Sequence, residues 1–133
     1  MTAIVAGIGF RRGTSAGEIV ALVENALDSA AVDRRALAVL ATAAALAETH
    51  AFVEAARRLA VEPASVGVAA LTAAEPAVRT RSERSLAAHG VGSVAEAAAL
   101  GAAGLGSALL LERIASSGAT CALASRPVGG EAP

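Results

Sequence analysis

The chain has 133 residues, 55% of them hydrophobic and 17% charged, with a formal net charge of −1. One domain fits that length and two do not fit comfortably. The hydrophobicity argues against intrinsic disorder. The lack of a basic excess argues against charge-driven nucleic-acid binding, and the two aromatics, Phe10 and Phe52, are too few for a base-stacking platform.

The composition narrows the reading further. There are 38 alanines, which predict close approach of helices to a sheet and a thin core. The single cysteine, Cys121, has no partner for a disulfide, as in a reducing compartment. At the N-terminus the arginines follow the apolar run, the reverse of a signal peptide. The weakly polar stretches 36–47 and 97–111 are too short or too interrupted to span a bilayer. A cytoplasmic protein is expected, with neither a membrane nor nucleic acid as partner.

In chain order, the apolar run 3–9 is short and rich in Ile and Val, which predicts a buried strand. A loop, Phe-Arg-Arg-Gly-Thr-Ser, follows it. Ser15 and Glu18 have capping-box spacing. Ile19, Leu22, Val23, Ala26, Leu27 and Ala30 then form one apolar stripe of a helix. Residues 36–42 read as a second buried strand. A second helix carries Phe52, Ala55, Ala56 and Leu59 on one face, and Glu62-Pro63 is expected to close it. Residues 66–71 read as a third strand, Glu75-Pro76 as a turn, 79–83 as an exposed polar stretch, and 82–89 as a short helix ended by Gly90. Ser93 and Glu96 repeat the capping-box spacing before a compact helix over 97–103. Two apolar runs, 109–114 and 119–124, flank Ser116-Ser117-Gly118 and predict a β-hairpin. Together these give an α/β domain over 1–124: a mixed, mostly parallel sheet of about five strands covered by helices, with a C-terminal β-hairpin. Residues 125–133 read as a frayed tail.

The leading candidate site is the loop Gly7-Ile-Gly-Phe-Arg-Arg-Gly-Thr-Ser15. It leaves a strand and enters a helix, whose N-terminal N–H groups and dipole favour anions. Gly7, Gly9 and Gly13 permit close backbone approach. Arg11 and Arg12 supply bidentate partners for carboxylate or phosphate, and Thr14 and Ser15 supply hydroxyls. The same residues would also make a tight turn with solvated arginines and a helix cap. A dinucleotide fold is disfavoured by the G-x-G-x-x-x-G spacing and by the lack of an acid ending the second strand. Gly92, Ser93 and Glu96 mark a second helix start, which would either be self-capped by Glu96 or wall the anion site from the opposite side. His50 and Glu54 share a helix face, but a full metal set is not visible. No catalytic set assembles, and no metal or cofactor is expected.

These blocks, G-I-G-F-R-R-G-T-S at 7–15 and G-V-G-S-V-A-E-A-A-A-L at 90–100, together with the regions 46–59 and 109–124, resemble the CobE / CbiG C-terminal domain family of cobalamin biosynthesis. The resemblance runs over residues 3–124, and the length is that expected of a stand-alone member, CobE-like, rather than the longer CbiG. Phe10 stands where many relatives have Cys, and Arg113 where Lys is usual. The resemblance implies a role in building the corrin ring. CbiG-like proteins open the lactone of a cobalt-precorrin intermediate and release a two-carbon fragment as acetaldehyde. Stand-alone members go with the oxygen-dependent route. The implied partners are a precorrin or corrinoid intermediate and other enzymes of the pathway. Binding and carriage of such an intermediate, lactone hydrolysis, and service as an accessory subunit are the functions the resemblance leaves open.

Overall fold

A computed structural model describes residues 3–126. The first strand, β1 (Ala3–Phe10), leads into helix α1 (Ala16–Ser29), and β2 (Leu37–Ala43) into α2 (His50–Leu59). Next come β3 (Glu62–Val66), α3 (Val68–Ala74), α4 (Glu83–His89) and α5 (Val94–Ala103). The chain closes with β4 (Ala108–Ala115) and β5 (Ala119–Arg126). The sheet has the order β3-β2-β1-β5-β4. β1, β2 and β3 are parallel, while β5 runs antiparallel to both β1 and β4. Four strands therefore point one way and β5 points back: a mixed, mostly parallel sheet ending in a hairpin. β5 continues through Ser125 and Arg126, and the rest of the expected tail, 127–133, lies outside the described residues.

Alternation along β1 divides the core. Ile4, Ala6 and Ile8 join Ile19, Leu22, Val23 and Leu27 of α1 and Phe52 and Leu59 of α2 on one face. Val5 joins Val66, Leu71, Val94 and the alanines of α5 on the other. This is the period-two geometry of a strand buried on both sides. α5 is buried almost all round, and its alanines let it lie close to the sheet. The closest point is Gly7: a Cβ there would sit 2.0 Å from the carbonyl oxygen of Ala95 and 2.5 Å from the amide nitrogen of Ala99.

Of residues 66–71, Val66 alone is in a strand, as the end of β3. The third strand is β3, which contains Glu62-Pro63, and the chain turns helical after Gly67. β3 is an edge strand, where proline costs no ladder hydrogen bond on the outer side. The alanine-rich segment beyond Gly67 then takes its better local conformation. Likewise α2 is ended by Ala60 in the left-handed conformation, φ 57°, and not by Glu62-Pro63.

Candidate functional site

β1 to β3 are laid down in one direction, with α1 and α2 against one face. The chain then crosses the opposite face through α3 and α5 and places β4 and β5 beyond β1. A crevice forms at the carboxyl end of β1, where the two halves diverge, as ligand sites do in open α/β sheets. It is a cavity of about 390 Å³. Its floor holds Gly9, Phe10, Val94 and Ala119, and its walls hold Ser82, Ser85 and Ala88 on one side and the hairpin residues Ala115, Ser116, Ser117, Gly118 and Thr120 on the other.

Three arginines line this cavity: Arg11 after β1, Arg84 on α4 and Arg113 on β4. Six of the 11 arginines form ion pairs with acids. Among the described residues, Arg11, Arg84 and Arg113 form no ion pair, and no carboxylate lines the cavity. The hydroxyl of Ser85, also on the wall, is buried with no hydrogen-bond partner among the described residues. Guanidinium groups around an apolar floor suit a ligand with an apolar body and several carboxylates. A second cavity of about 360 Å³, near Phe52 and Ser65, carries Glu48 as its charged side chain and lacks this cationic character.

The β1–α1 loop contributes less to that cavity than its sequence suggests. Ser15 caps α1 by accepting from the Glu18 N–H at 3.1 Å, but Glu18 does not return the bond. Its carboxylate crosses to the hairpin turn. There it accepts from the Ser116 hydroxyl, from the Gly118 N–H at 2.7 Å and from the Ser117 hydroxyl at 3.4 Å. These bonds, led by Ser116, hold the Glu18 carboxyl below its ordinary 4.5 against the upward push of desolvation, with Arg11 adding a little more. Thr14 donates to the Gly118 carbonyl at 3.0 Å, and the Arg11 N–H reaches the same oxygen at 2.9 Å. The mouth of α1 is thus filled by the chain's own turn. Glu18→Ala is expected to speed amide exchange at Gly118 more than at the central residues of β5, which two-dimensional NMR would read directly.

The second predicted helix start behaves similarly. Ser93 accepts from the Glu96 N–H at 3.2 Å. Glu96 itself is fully buried and does not bond back to Ser93. One of its oxygens accepts from the N–H groups of Arg79 (2.7 Å) and Thr80 (2.9 Å). The other accepts from the Thr80 hydroxyl (2.7 Å) and the Arg113 N–H (2.9 Å). Burial alone would raise its pKa; the four donors, led by Arg113, outweigh that and lower it. Gly92 lies against the same segment: a Cβ there would be 2.9 Å from the Arg81 Cα, and its N–H donates to Glu75 at 3.1 Å.

The structure therefore separates the sequence candidates. Gly9 and Arg11 face the cavity. Gly7 is covered by α5. Arg12 and Gly13 are exposed on the loop outside the cavity lining. Thr14 and Ser15 hold the hairpin and the helix cap, Ser93 caps α5, and Gly92 and Glu96 hold the segment that leads into α4. Sequence reading missed Arg84, Ser85 and the cavity position of Arg113. Nothing in local spacing brings them beside Arg11. The His50–Glu54 pair is not assembled as a metal site: Glu54 accepts from Arg57 and Arg58, which lower its pKa to about 2. Among the described residues no group of three His, Cys, Asp or Glu could hold a metal. Cys121 is fully buried, and desolvation pushes its thiol up to about 12, so it is not a nucleophile. Among the described residues, no helix is long and apolar enough to cross a membrane.

Comparison with known proteins agrees with this architecture. Residues 4–124 match the family model for the cobalamin synthesis G C-terminus. A Sinorhizobium relative named protein CobE is 40% identical over 121 residues, spanning 91% of this chain and 79% of the relative. The crystal structure of CobE, a protein from the cobalamin (vitamin B12) biosynthetic pathway, superposes with a TM-score of 0.87 at 33% identity, covering 95% of this chain and 92% of that one. The cobalamin biosynthesis protein chiG from Agrobacterium tumefaciens gives 0.75 at 33% identity over 95% of this chain and 100% of that one. The chain belongs to the CobE / CbiG C-terminal domain family. Within it, the chain is a CobE-like protein of the cobalamin biosynthetic pathway.

Proposed function

We propose that the protein binds and carries a precorrin or corrinoid intermediate, with its carboxylate arms held by Arg11, Arg84 and Arg113. The observation that carries this reading is the convergence of three arginines, none in an ion pair among the described residues, on one apolar-floored cavity at the carboxyl end of β1. Intermediates of the corrin ring are flat, apolar in the middle and rimmed by carboxylates. The floor of Phe10, Val94 and Ala119 suits the ring edge, and the guanidinium groups suit the arms. Ser85 offers a hydroxyl with no hydrogen-bond partner among the described residues.

Gel filtration with late intermediates of the pathway tests the proposal, because a bound corrinoid colours the protein fraction. Each of Arg84→Ala and Arg113→Ala is expected to weaken binding tenfold or more. A charge-assisted hydrogen bond contributes about 1.5–3 kcal/mol, and roughly 1.4 kcal/mol is one decade in affinity. Affinity should also fall as salt rises, since two of the three arginines are exposed. Colourless protein fractions with every intermediate, or full retention by the double arginine variant, would reject the site. Arg12→Ala, on the loop but outside the cavity, is the matched control.

A further inference from the structure

We propose that the cavity grips the macrocycle by one edge and leaves the opposite edge outside the protein, open to a second protein before the first lets go. This rests on the carrier reading above and adds to it how the ligand is seated.

The first reason is size. At about 390 Å³ the cavity lies near the bottom of the ~300–1,000 Å³ range of sites that enclose drug-sized ligands. A tetrapyrrole with its side arms is larger than such ligands, so the cavity admits part of the ring and not the whole.

The second reason is that the walls are tied down. On one side the hairpin turn is bound to α1 through Glu18, Thr14 and the Arg11 N–H. On the other, buried Glu96 fastens both the 79–80 segment leading to α4 and the Arg113 backbone of β4 to α5. Widening the cavity to swallow a macrocycle means breaking these bonds, several of them charge-assisted.

The third reason is where the charges stand. Arg11 and Arg84 are exposed and Arg113 is half-buried, whereas Val94 and Ala119 beneath them are buried. Guanidinium groups at the lip and apolar atoms below hold the arms of a ring entering edge-first, with the apolar ring edge on the floor. Carboxylates on the far edge then meet water. A partner that recognises those free arms can reach them while the carrier still holds the ring.

The probe is uroporphyrin, a fluorescent flat tetrapyrrole with carboxylate arms on every pyrrole ring, added to the full chain and quenched with neutral acrylamide. Edge seating predicts that bound uroporphyrin keeps roughly half the quenching constant of the free molecule, whereas an enclosing pocket shields about 70–90% of a ligand's surface. The double variant Arg84→Ala/Arg113→Ala must lose the bound population, which places it in this cavity. A quenching constant under about three-tenths of the free value means enclosure, and an unchanged constant means loose surface attachment. Either result overturns edge seating while leaving the anion site standing. If neither uroporphyrin nor any corrin intermediate co-elutes with the protein, the carrier reading falls and this inference falls with it.

Discussion

Glu96→Ala is expected to destabilise the fold by about 3–5 kcal/mol, since it strands four part-buried donors at roughly 1 kcal/mol each, the low end of the usual cost. Glu96 is fully buried and receives the N–H groups of Arg79, Thr80 and Arg113 as well as the Thr80 hydroxyl. Arg79 and Thr80 lie outside any helix or strand, so Glu96 takes N–H groups that no ladder satisfies. A small domain has only about 5–15 kcal/mol in total, so urea unfolding should show a large drop in midpoint with an unchanged slope. Glu96→Gln keeps the shape but presents an NH2 group to one set of donors, and should recover only part of the loss.

The pH dependence supplies an independent check with a defined sign. The folded pKa of Glu96 is lowered from 4.5. Its contribution is therefore complete above that value and is lost as pH falls through the folded pKa. Wild type should lose stability on acidification below about pH 4.5, and Glu96→Gln should lose less over the same interval. Parallel curves for the two proteins would show that Glu96 is not the charged clamp described here.

Gly7→Ala is the second large effect. The new Cβ would lie 2.0 Å from the Ala95 carbonyl oxygen and 2.8 Å from the Ala99 Cβ. The obstacle is backbone, so no side chain can swing aside, and α5 must lift off β1. The cost is expected to be about 3 kcal/mol, at the top of the usual range for overpacking. α5 also carries Val94 of the cavity floor and Glu96, which ties down the backbone of Arg113, so ligand binding should weaken together with stability. Gly13→Ala separates crowding from backbone strain. Gly13 has φ +91° but open space around it, so its replacement should cost only about 1–2 kcal/mol. Thermal unfolding of the two variants side by side checks the order, and equal losses would refute the close-approach account.

Local pattern by itself determined much of this protein. The apolar run of β1, the stripe from Ile19 to Leu27 and the Ser15 cap specified the opening strand, loop and helix, because periodicity and capping act within a few residues. The glycine-bearing turn at 116–118 specified the hairpin for the same reason. The two blocks at 7–15 and 90–100 were enough to indicate the family. The boundary of β3 was not legible, because proline is excluded from a central strand and tolerated at an edge, and strand order is not written in a local window.

The site was the part only tertiary structure decided. Glu18 and Glu96 each stand at capping-box spacing, yet their carboxylates go to residues 98–100 and 16–17 positions away. The donors there, freed at a turn and at the approach to α4, are better partners than the neighbouring cap. Arg84 and Arg113 are ordinary surface arginines by sequence. They join Arg11 only because the chain returns across the second face of the sheet and brings α4 and β4 to the carboxyl end of β1. Periodicity sets which face of an element is buried, and crossovers set which charges meet.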